Sequence, residues 1–254
     1  MCTVTFVPRH DGYLLAMNRD EKITRGQAAP PTVVEIGPVR ALYPRDVQGG
    51  TWIAASSRGI ALALLNWNDA GVVQPNTRSR GCVIPALIAC RSLRHVEATL
   101  NRFDLRGILP FRLAGLFPSE NQIVEWRWDQ DSLICERFAW DSRQWCSSSL
   151  SDAQATMRRG LARVRAQHAD DVNSFTWLRR LHTSHDQENP PFSICVHRQE
   201  VETVSYTELL CTPHRVQSNY RGGSPCGSEA GIHSVAIRRY GCANAMRPHS
   251  PSIS

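Results

Sequence analysis

At the N-terminus, residues 1–26 read MCTVTFVPRHDGYLLAMNRDEKITRG. Residues 2–7 are rich in β-branched and apolar side chains, residues 8–12 supply turn formers, and residues 13–17 are a second apolar run. This pattern predicts a β-hairpin. The tetrapeptide NRDE at residues 18–21 follows the second strand. Because hairpin strands run antiparallel, we expect these four polar residues near the start of the first strand.

Cys2 is the candidate nucleophile, because removal of Met1 makes it the first residue of the chain. It then carries a thiol and a free α-amine. The ordinary pKa of a terminal amine is about 7.7–8.0, so this amine can accept a proton near neutral pH. A base beside its own thiol is the arrangement of an N-terminal nucleophile. The plainer alternative is that Cys2 is a small residue that begins a strand.

Three polar residues at predicted strand ends extend this hypothesis. Asp20 can hold an ammonium group, and Arg19 can bind a carboxylate or keep a nearby thiolate ionised. Asn66 follows a predicted buried strand over residues 60–65, and its amide can donate to an oxyanion. Each also has a structural alternative. Arg19 and Asp20 can simply form the charged end of a strand before a loop, and Asn66 can simply cap the end of its strand.

Composition excludes several other classes. The 254 residues carry a net charge of +6, and the arginines are scattered rather than gathered in a basic stripe, so we expect no nucleic-acid partner. No apolar run reaches the length of a membrane helix, and the N-terminus does not read as a signal peptide, so we expect a cytoplasmic protein. The nine cysteines form no CxxC pair, which predicts reduced thiols.

A metal site is also considered. His182, His185, Cys195 and His197 are close in sequence. However, the two histidines are predicted at a helix end, and the other two residues are assigned to a strand. The sequence therefore predicts no metal site.

The remaining pattern predicts one α+β domain over residues 1–240 and a loose tail over residues 241–254. Residues 26–31 and 36–38 are predicted loops, and residues beyond 212 are rich in Gly, Pro and Ser. Predicted strands are 51–55, 60–65, 111–117, 122–128, 133–140, 192–196, 203–209 and a possible 233–239. Predicted helices are one or two over 82–103, one from 152 to about 167 capped by Ser151 and Asp152, and one over 172–182.

Five motifs occur in order: MCTVTF, NRDE, GGTW, SSRGIALALLN and FSICVHRQEVETVSYTEL. Together they resemble the NRDE family, which is related to transport and Golgi organisation protein 2. The resemblance covers residues 2–210. It implies the N-terminal-nucleophile hydrolase fold, a four-layer αββα sandwich.

Within that superfamily the resemblance extends to cysteine acylases of conjugated bile acids and penicillin V. It implies that Cys2 is the nucleophile, that Asp20 holds the amine and nucleophile, and that Asn66 is an oxyanion donor. The sequence departs from these acylases at Met17, where they carry an arginine that Arg19 lies close enough to replace.

A second departure is Ser148, which stands where the acylases carry another asparagine. Arg198 is a candidate late arginine, and Asn18, Ser148 and Arg198 are candidate substrate-binding residues.

Two functions are consistent with this resemblance. The first is hydrolysis of a linear amide or related acyl bond of a small molecule, with no cofactor. The alternative is a non-catalytic protein that handles haem, lipid or acyl-coenzyme A, in which the Cys2 thiolate ligates haem iron. The sequence does not predict the oligomeric state.

Overall fold

Two antiparallel β-sheets form the centre of the fold in this computed structural model, which describes residues 2–70, 78–227 and 231–240. The predicted tail over residues 241–254 lies outside the described residues, as does Met1. The boundaries of the single predicted domain stay a prediction. No helix in the described ranges combines the length and the apolar character that a membrane span needs.

The described residues form thirteen strands and four α-helices. The strands are β1 (Cys2–Arg9), β2 (Gly12–Lys22), β3 (Ala29–Ile36), β4 (Val39–Arg45), β5 (Ile53–Ser56), β6 (Ala61–Asn66), β7 (Phe111–Phe117), β8 (Gln122–Trp128), β9 (Leu133–Phe138), β10 (Arg143–Ser147), β11 (Val201–Cys211), β12 (Arg215–Gly222) and β13 (His233–Arg238). The helices are α1 (Val83–Leu87), α2 (Leu93–Leu100), α3 (Asp152–Ala166) and α4 (Phe175–His182). One sheet has the order β10-β1-β2-β11-β12-β13, and the other has the order β3-β4-β5-β6-β7-β8-β9.

Side-chain alternation along the strands builds the layers. Val4 and Leu15 of the six-stranded sheet share one buried cluster with Ile53, Ala63 and Leu65 of the seven-stranded sheet. The cluster lies between the sheets. Because alternate residues of a strand point to opposite faces, the residues between these core residues face outward and pack on helices.

The helices cover the two outer faces. Leu62 and Leu64 of β6 pack with Leu87 of α1 and Val96 of α2. On the other sheet, Leu14 and Ala16 of β2 pack with Trp177, Leu178 and Leu181 of α4. The order helix, sheet, sheet, helix confirms the expected four-layer αββα sandwich. Both faces of these strands are buried, which explains their nearly continuous apolar sequences.

Most predicted elements are confirmed. The N-terminal hairpin pairs β1 with β2 and places Cys2 opposite Arg19. Helix α3 begins where predicted, since the Ser151 Oγ accepts a hydrogen bond of 3.2 Å from the Gln154 backbone N–H.

Four strands were not predicted. Residues 26–31 and 36–38 were expected to be loops, yet residues 29–31 and 36 lie in β3, and β4 follows directly after the turn at residues 37–38. Two prolines concealed β3, and they are tolerated because β3 is an edge strand with irregular pairing near Ala29. Strands β10 and β12 were also missed.

The predicted strand over residues 192–196 is wrong, because this segment is a 3₁₀ turn followed by loop. Its apolar residues are nevertheless buried. The loop backbone is satisfied by single contacts rather than by a strand ladder: the Asn18 side chain of β2 donates to the Ile194 carbonyl, the Cys195 N–H donates to the Ser184 carbonyl, and the Thr203 N–H of β11 donates to the Val196 carbonyl. Burial without a continuous strand ladder explains the misleading pattern.

Candidate active site

Cys2 begins a central strand of the six-stranded sheet. It pairs with Ser147 of β10 on one side and with Arg19 of β2 on the other. Its side chain belongs to the core between the sheets and is 6 % exposed. Strand pairing therefore fixes the thiol at the end of the sandwich.

A cavity of about 390 Å³ opens at this end of the sandwich. Its wall includes Cys2, Arg19, Asp20 and Asn66, which come from β1, β2 and β6. The structure therefore brings all four residues proposed for catalysis to one cavity, across both sheets.

Arg19 is held on the cavity wall by an aromatic ring and an acid. Its guanidinium carbon lies 4.3 Å from the centroid of the Trp52 ring. Its Nη2 lies 3.4 Å from the Glu21 carboxylate, which also contacts Arg25 at 3.6 Å. Arg25 in turn bonds Asp46 at 2.7 Å. This chain of alternating charges fixes the Arg19 side chain, which is 7 % exposed.

Asp20 contacts both a neighbouring strand and a helix. The Thr203 hydroxyl of β11 donates to Asp20 Oδ1 at 2.7 Å. Arg159 Nη2 of α3 lies 3.5 Å from Asp20 Oδ2, and both side chains are fully buried. The carboxylate is therefore fixed beside the cavity rather than exposed at a strand end.

Arg159 is a site residue that the sequence reasoning missed. Its Nη1 donates to the Cys2 carbonyl at 3.1 Å, to Thr3 Oγ1 at 2.9 Å and to the Ser147 carbonyl at 3.3 Å. Its Nε donates to the Ser193 carbonyl at 3.0 Å. The guanidinium thus lies beneath the Cys2 backbone and joins it to the Asp20 carboxylate.

A signal for Arg159 was present in the sequence. Asp152, Ala155 and Arg159 are the buried residues of α3, and their spacing of three and four residues marks one helix face. A buried arginine is rarely left without a charged or polar partner, so this spacing indicates a partner for Arg159.

Asn66 ends β6 opposite Phe111 of β7 and is half-buried. Its side-chain amide makes no hydrogen bond to residues 2–70, 78–227 or 231–240, and it lies on the cavity wall. A cavity-facing amide in this state can donate to a ligand oxygen.

Asn18 lies on the helix side of the sheet, away from the cavity. Its Nδ2 donates to the carbonyls of His182 and Ile194, each at 2.9 Å, and its Oδ1 lies 3.1 Å from His182 Nδ1. The other His182 ring nitrogen lies 3.0 Å from Thr5 Oγ1. Burial lowers the pKa of His182 to about 3, so the ring is neutral. The structure therefore gives Asn18 a role in joining α4 to the sheet, and we do not include it in the substrate site.

Ser148 and Arg198 also lie off the cavity wall. The Ser148 N–H donates to Asp152 Oδ1 at 2.6 Å, and its Oγ accepts from the Leu150 N–H at 3.3 Å. These contacts belong to the start of α3. Arg198 donates to Ser149 Oγ at 3.2 Å, and burial lowers the pKa of its guanidinium. Neither residue is included in the substrate site.

The thiol itself is not activated by its surroundings alone. Burial raises the pKa of the Cys2 thiol, and the Asp20 charge acts in the same direction while Arg19 opposes it. The thiol is therefore protonated near neutral pH. Attack on a carbonyl requires a base that can accept this proton.

Four other residues come together on the surface. His185, Cys195, His197 and Cys226 have potential ligand atoms within 4.8 Å of one another. The sequence pattern assigns Cys195 and His197 to a strand, but residues 192–196 form no strand, and Cys226 joins the cluster from a distant part of the chain. His182 lies elsewhere, between Asn18 and Thr5.

Comparisons with known proteins agree with the fold. Residues 1–117 match the family described as Transport and Golgi organisation 2. The motif over residues 192–209 lies outside that match. No curated protein sequence matches the chain.

Two solved structures are similar over most of the chain. Penicillin V acylase from Agrobacterium tumefaciens has a TM-score of 0.55 at 8 % identity, and the alignment covers 92 % of this chain and 86 % of that one. A variant of conjugated bile acid hydrolase from Clostridium perfringens has a TM-score of 0.53 at 9 % identity, with 98 % and 100 % covered. Identities this low show a shared fold and nothing more. Residues 1–117 therefore carry the sequence signature of the Transport and Golgi organisation 2 family, and the described chain has the fold of the N-terminal-nucleophile hydrolases.

Proposed function

We propose that this protein is a cysteine N-terminal-nucleophile hydrolase that cleaves a linear amide or related acyl bond. The observation that carries the proposal is the cavity at the end of the sandwich, whose wall holds Cys2, Arg19, Asp20 and Asn66 together. The two structural neighbours, an acylase and a hydrolase by name, support the same reaction class.

The reaction begins with removal of Met1, which gives Cys2 a free α-amine. This amine accepts the thiol proton, and the thiolate attacks the substrate carbonyl to form a tetrahedral intermediate. The Asn66 amide donates to the oxyanion. The C–N bond then breaks, the leaving nitrogen takes the proton from the ammonium group, and a thioester remains on Cys2. Water hydrolyses the thioester and regenerates the thiol.

Asp20 and Arg159 are assigned different roles. Asp20 lies on the cavity wall, where its carboxylate can hold the ammonium group of Cys2. Arg159 is a positioning residue, because it bonds the Cys2 carbonyl and contacts the Asp20 carboxylate from the helix side. A fixed backbone at Cys2 is what an N-terminal nucleophile requires.

The character of the cavity wall supports a small polar substrate. Arginines 19, 25, 78 and 80 lie on the wall, together with three acidic residues. The Arg25 and Asp46 pair neutralises part of this charge. We assign the substrate to acyl compounds that carry a carboxylate or similar anion, such as N-acyl amino acids. A volume of about 390 Å³ lies in the range of small-molecule sites.

The haem or lipid alternative has no specific observation in its favour. A lipid tail requires an apolar wall, whereas this wall is largely charged and polar.

The experiment compares hydrolysis of N-acyl amino acids with hydrolysis of matched N-acyl amines that lack the carboxylate. The protein is first shown by intact mass to lack Met1. We expect turnover that favours the carboxylate series, is abolished by Cys2→Ala and is unchanged by Cys135→Ala, an exposed cysteine outside the cavity. Turnover that survives Cys2→Ala contradicts the proposal. Haem is added in parallel, and a Soret shift lost in Cys2→Ala, with no turnover of either series, would favour the alternative.

A further inference from the structure

Outside the cavity, a second cluster gathers two histidines and two cysteines. His185 follows α4, Cys195 and His197 lie in the loop before β11, and Cys226 follows β12. We propose that these four residues bind one Zn²⁺ ion, which joins three separate chain segments. This site does not depend on the proposed hydrolase activity.

The distances suit a tetrahedral site. Cys195 Sγ lies 3.6 Å from His197 Nε2, and that nitrogen lies 3.0 Å from Cys226 Sγ. The two imidazole rings have centroids 5.3 Å apart. Zn–S bonds of about 2.3 Å and Zn–N bonds of about 2.0–2.1 Å place tetrahedral ligand atoms about 3.3–3.8 Å apart. All four potential ligand atoms lie within 4.8 Å of one another, so small side-chain rotations complete the geometry.

The donor set identifies the metal. Two thiolates and two imidazoles form the Cys₂His₂ set of structural zinc sites, which use all four positions and leave none for water. Hard cations such as Mg²⁺ and Ca²⁺ prefer oxygen ligands, and the cluster includes no carboxylate. Binding replaces the two thiol protons with the metal, and both protons pass to solvent.

The location of the site gives it a structural role. Cys195 is buried, whereas the other three residues are exposed, so the ion enters from the surface and is held against the body of the fold. No helix or strand of the described chain includes Cys195, His197 or Cys226. Only single backbone hydrogen bonds hold these segments, such as the one from the Cys195 N–H to the Ser184 carbonyl, and a metal ion would add a shared link between them.

Hydrogen bonds connect this cluster with the cavity through Thr203. The Val196 N–H, between two of the ligands, donates to Thr203 Oγ1 at 2.8 Å, and the Ser224 hydroxyl donates to the Thr203 carbonyl at 2.8 Å. Thr203 in turn donates to Asp20 at 2.7 Å. Fixing both loops therefore fixes the residue that holds the Asp20 carboxylate.

The test uses full-length protein, free of any histidine tag, that has been stripped with a chelator under reducing conditions. Co²⁺ and then Zn²⁺ are titrated while visible absorption is recorded, and bound metal is counted by elemental analysis. We expect one ion per chain, with the thiolate-to-cobalt charge-transfer and tetrahedral d–d bands appearing together and disappearing when Zn²⁺ is added.

Two exposed ligands provide variants that should fold. Cys226→Ser and His185→Ala should weaken Zn²⁺ binding by more than the roughly 10–100-fold cost of losing an outer-shell partner. The matched controls Cys135→Ser and His95→Ala alter exposed residues outside the cluster and should bind as wild type. Binding that survives in both ligand variants overturns the proposal. So does an apo protein whose cysteines 195 and 226 form a disulfide that reductant does not open.

Discussion

Arg159→Met removes the buried guanidinium that joins α3 to the start of β1. The wild-type side chain is fully buried and bonds the Cys2 carbonyl, the Thr3 hydroxyl and the Ser193 carbonyl, with Asp20 Oδ2 3.5 Å away. Methionine has a similar helix propensity and volume, so the helix itself should be retained. The change therefore isolates the polar contacts.

The magnitude follows from burial. Removing one member of a buried ion pair costs about 3–5 kcal/mol, because the remaining charge stays in a low-dielectric site. The carbonyls that lose their donor add to this cost, although such terms are not additive. We expect the free energy of unfolding to fall by about 3–5 kcal/mol.

The matched control is Arg158→Met, one residue earlier on the same helix. Arg158 is 29 % exposed and contacts Glu188, which is 74 % exposed, at 3.4 Å. A surface pair of this kind contributes about 0–1 kcal/mol.

Urea unfolding followed by tryptophan fluorescence measures both variants. With a slope of about 1–3 kcal/mol per M for small proteins, Arg159→Met should lower the midpoint by roughly 1 M or more, and Arg158→Met should leave it nearly unchanged. Arg159→Lys keeps the positive charge but loses the planar guanidinium, so its urea midpoint should lie between those of the other two variants. Equal midpoints for the Arg159→Met and Arg158→Met variants would show that the buried guanidinium stabilises the fold no more than a surface arginine does.

Three further predictions concern other residues. Asn66→Ala should lower turnover by roughly 10²–10³ and leave the melting temperature nearly unchanged, because its amide faces the cavity; lost stability with intact kcat would remove it from the site. Burial lowers the pKa of His182 to about 3, so below about pH 6.5 the unfolded chain binds a proton that the folded chain does not. Stability should therefore fall between pH 6.5 and 3 by up to about 1.4 kcal/mol per pH unit, and His182→Gln should reduce this slope in pH-dependent unfolding. In protein lacking Met1, peptide-level mass spectrometry should show iodoacetamide labelling Cys2 faster than the exposed Cys135, whereas slower labelling would argue against an activated nucleophile.

The sheets were largely predictable because local pattern determines them. Apolar runs such as 111–117 and 122–128 coincide with β7 and β8, and the start of α3 follows from the capping residue Ser151. The strand β3 was missed because its prolines and exposed residues resemble a loop, and its edge position is a tertiary property.

The candidate site was partly predictable, because part of it is built by local sequence pattern. Cys2, Arg19 and Asp20 come together through one hairpin, and the local sequence pattern predicts that hairpin. Asn66 joins them from the other sheet, and only the resemblance to known acylases suggested that contact. Arg159 lies 157 residues from Cys2, and no local pattern specifies that pairing.

The proximity of His185, Cys195, His197 and Cys226 was not predicted, because one strand assignment was wrong. A buried apolar run at residues 192–196 is typical of a strand, and a strand would keep Cys195 and His197 apart from the helix-end histidines. In the structure the run is a buried loop, and Cys226 reaches it from beyond β12. Tertiary packing of the loop, rather than its periodicity, decides the geometry.

The mass of the N-terminal peptide after a single turnover shows whether Cys2 is the nucleophile. Protein lacking Met1 is mixed with an activated acyl ester, quenched in acid within the first turnover and digested, and the peptides are measured. We predict that the acyl mass lies on the peptide that begins with Cys2, that Cys2→Ala lacks it, and that Asn66→Ala forms it more slowly. An acyl group found on another residue, or turnover that leaves the Cys2 peptide unmodified, would contradict the proposed N-terminal nucleophile.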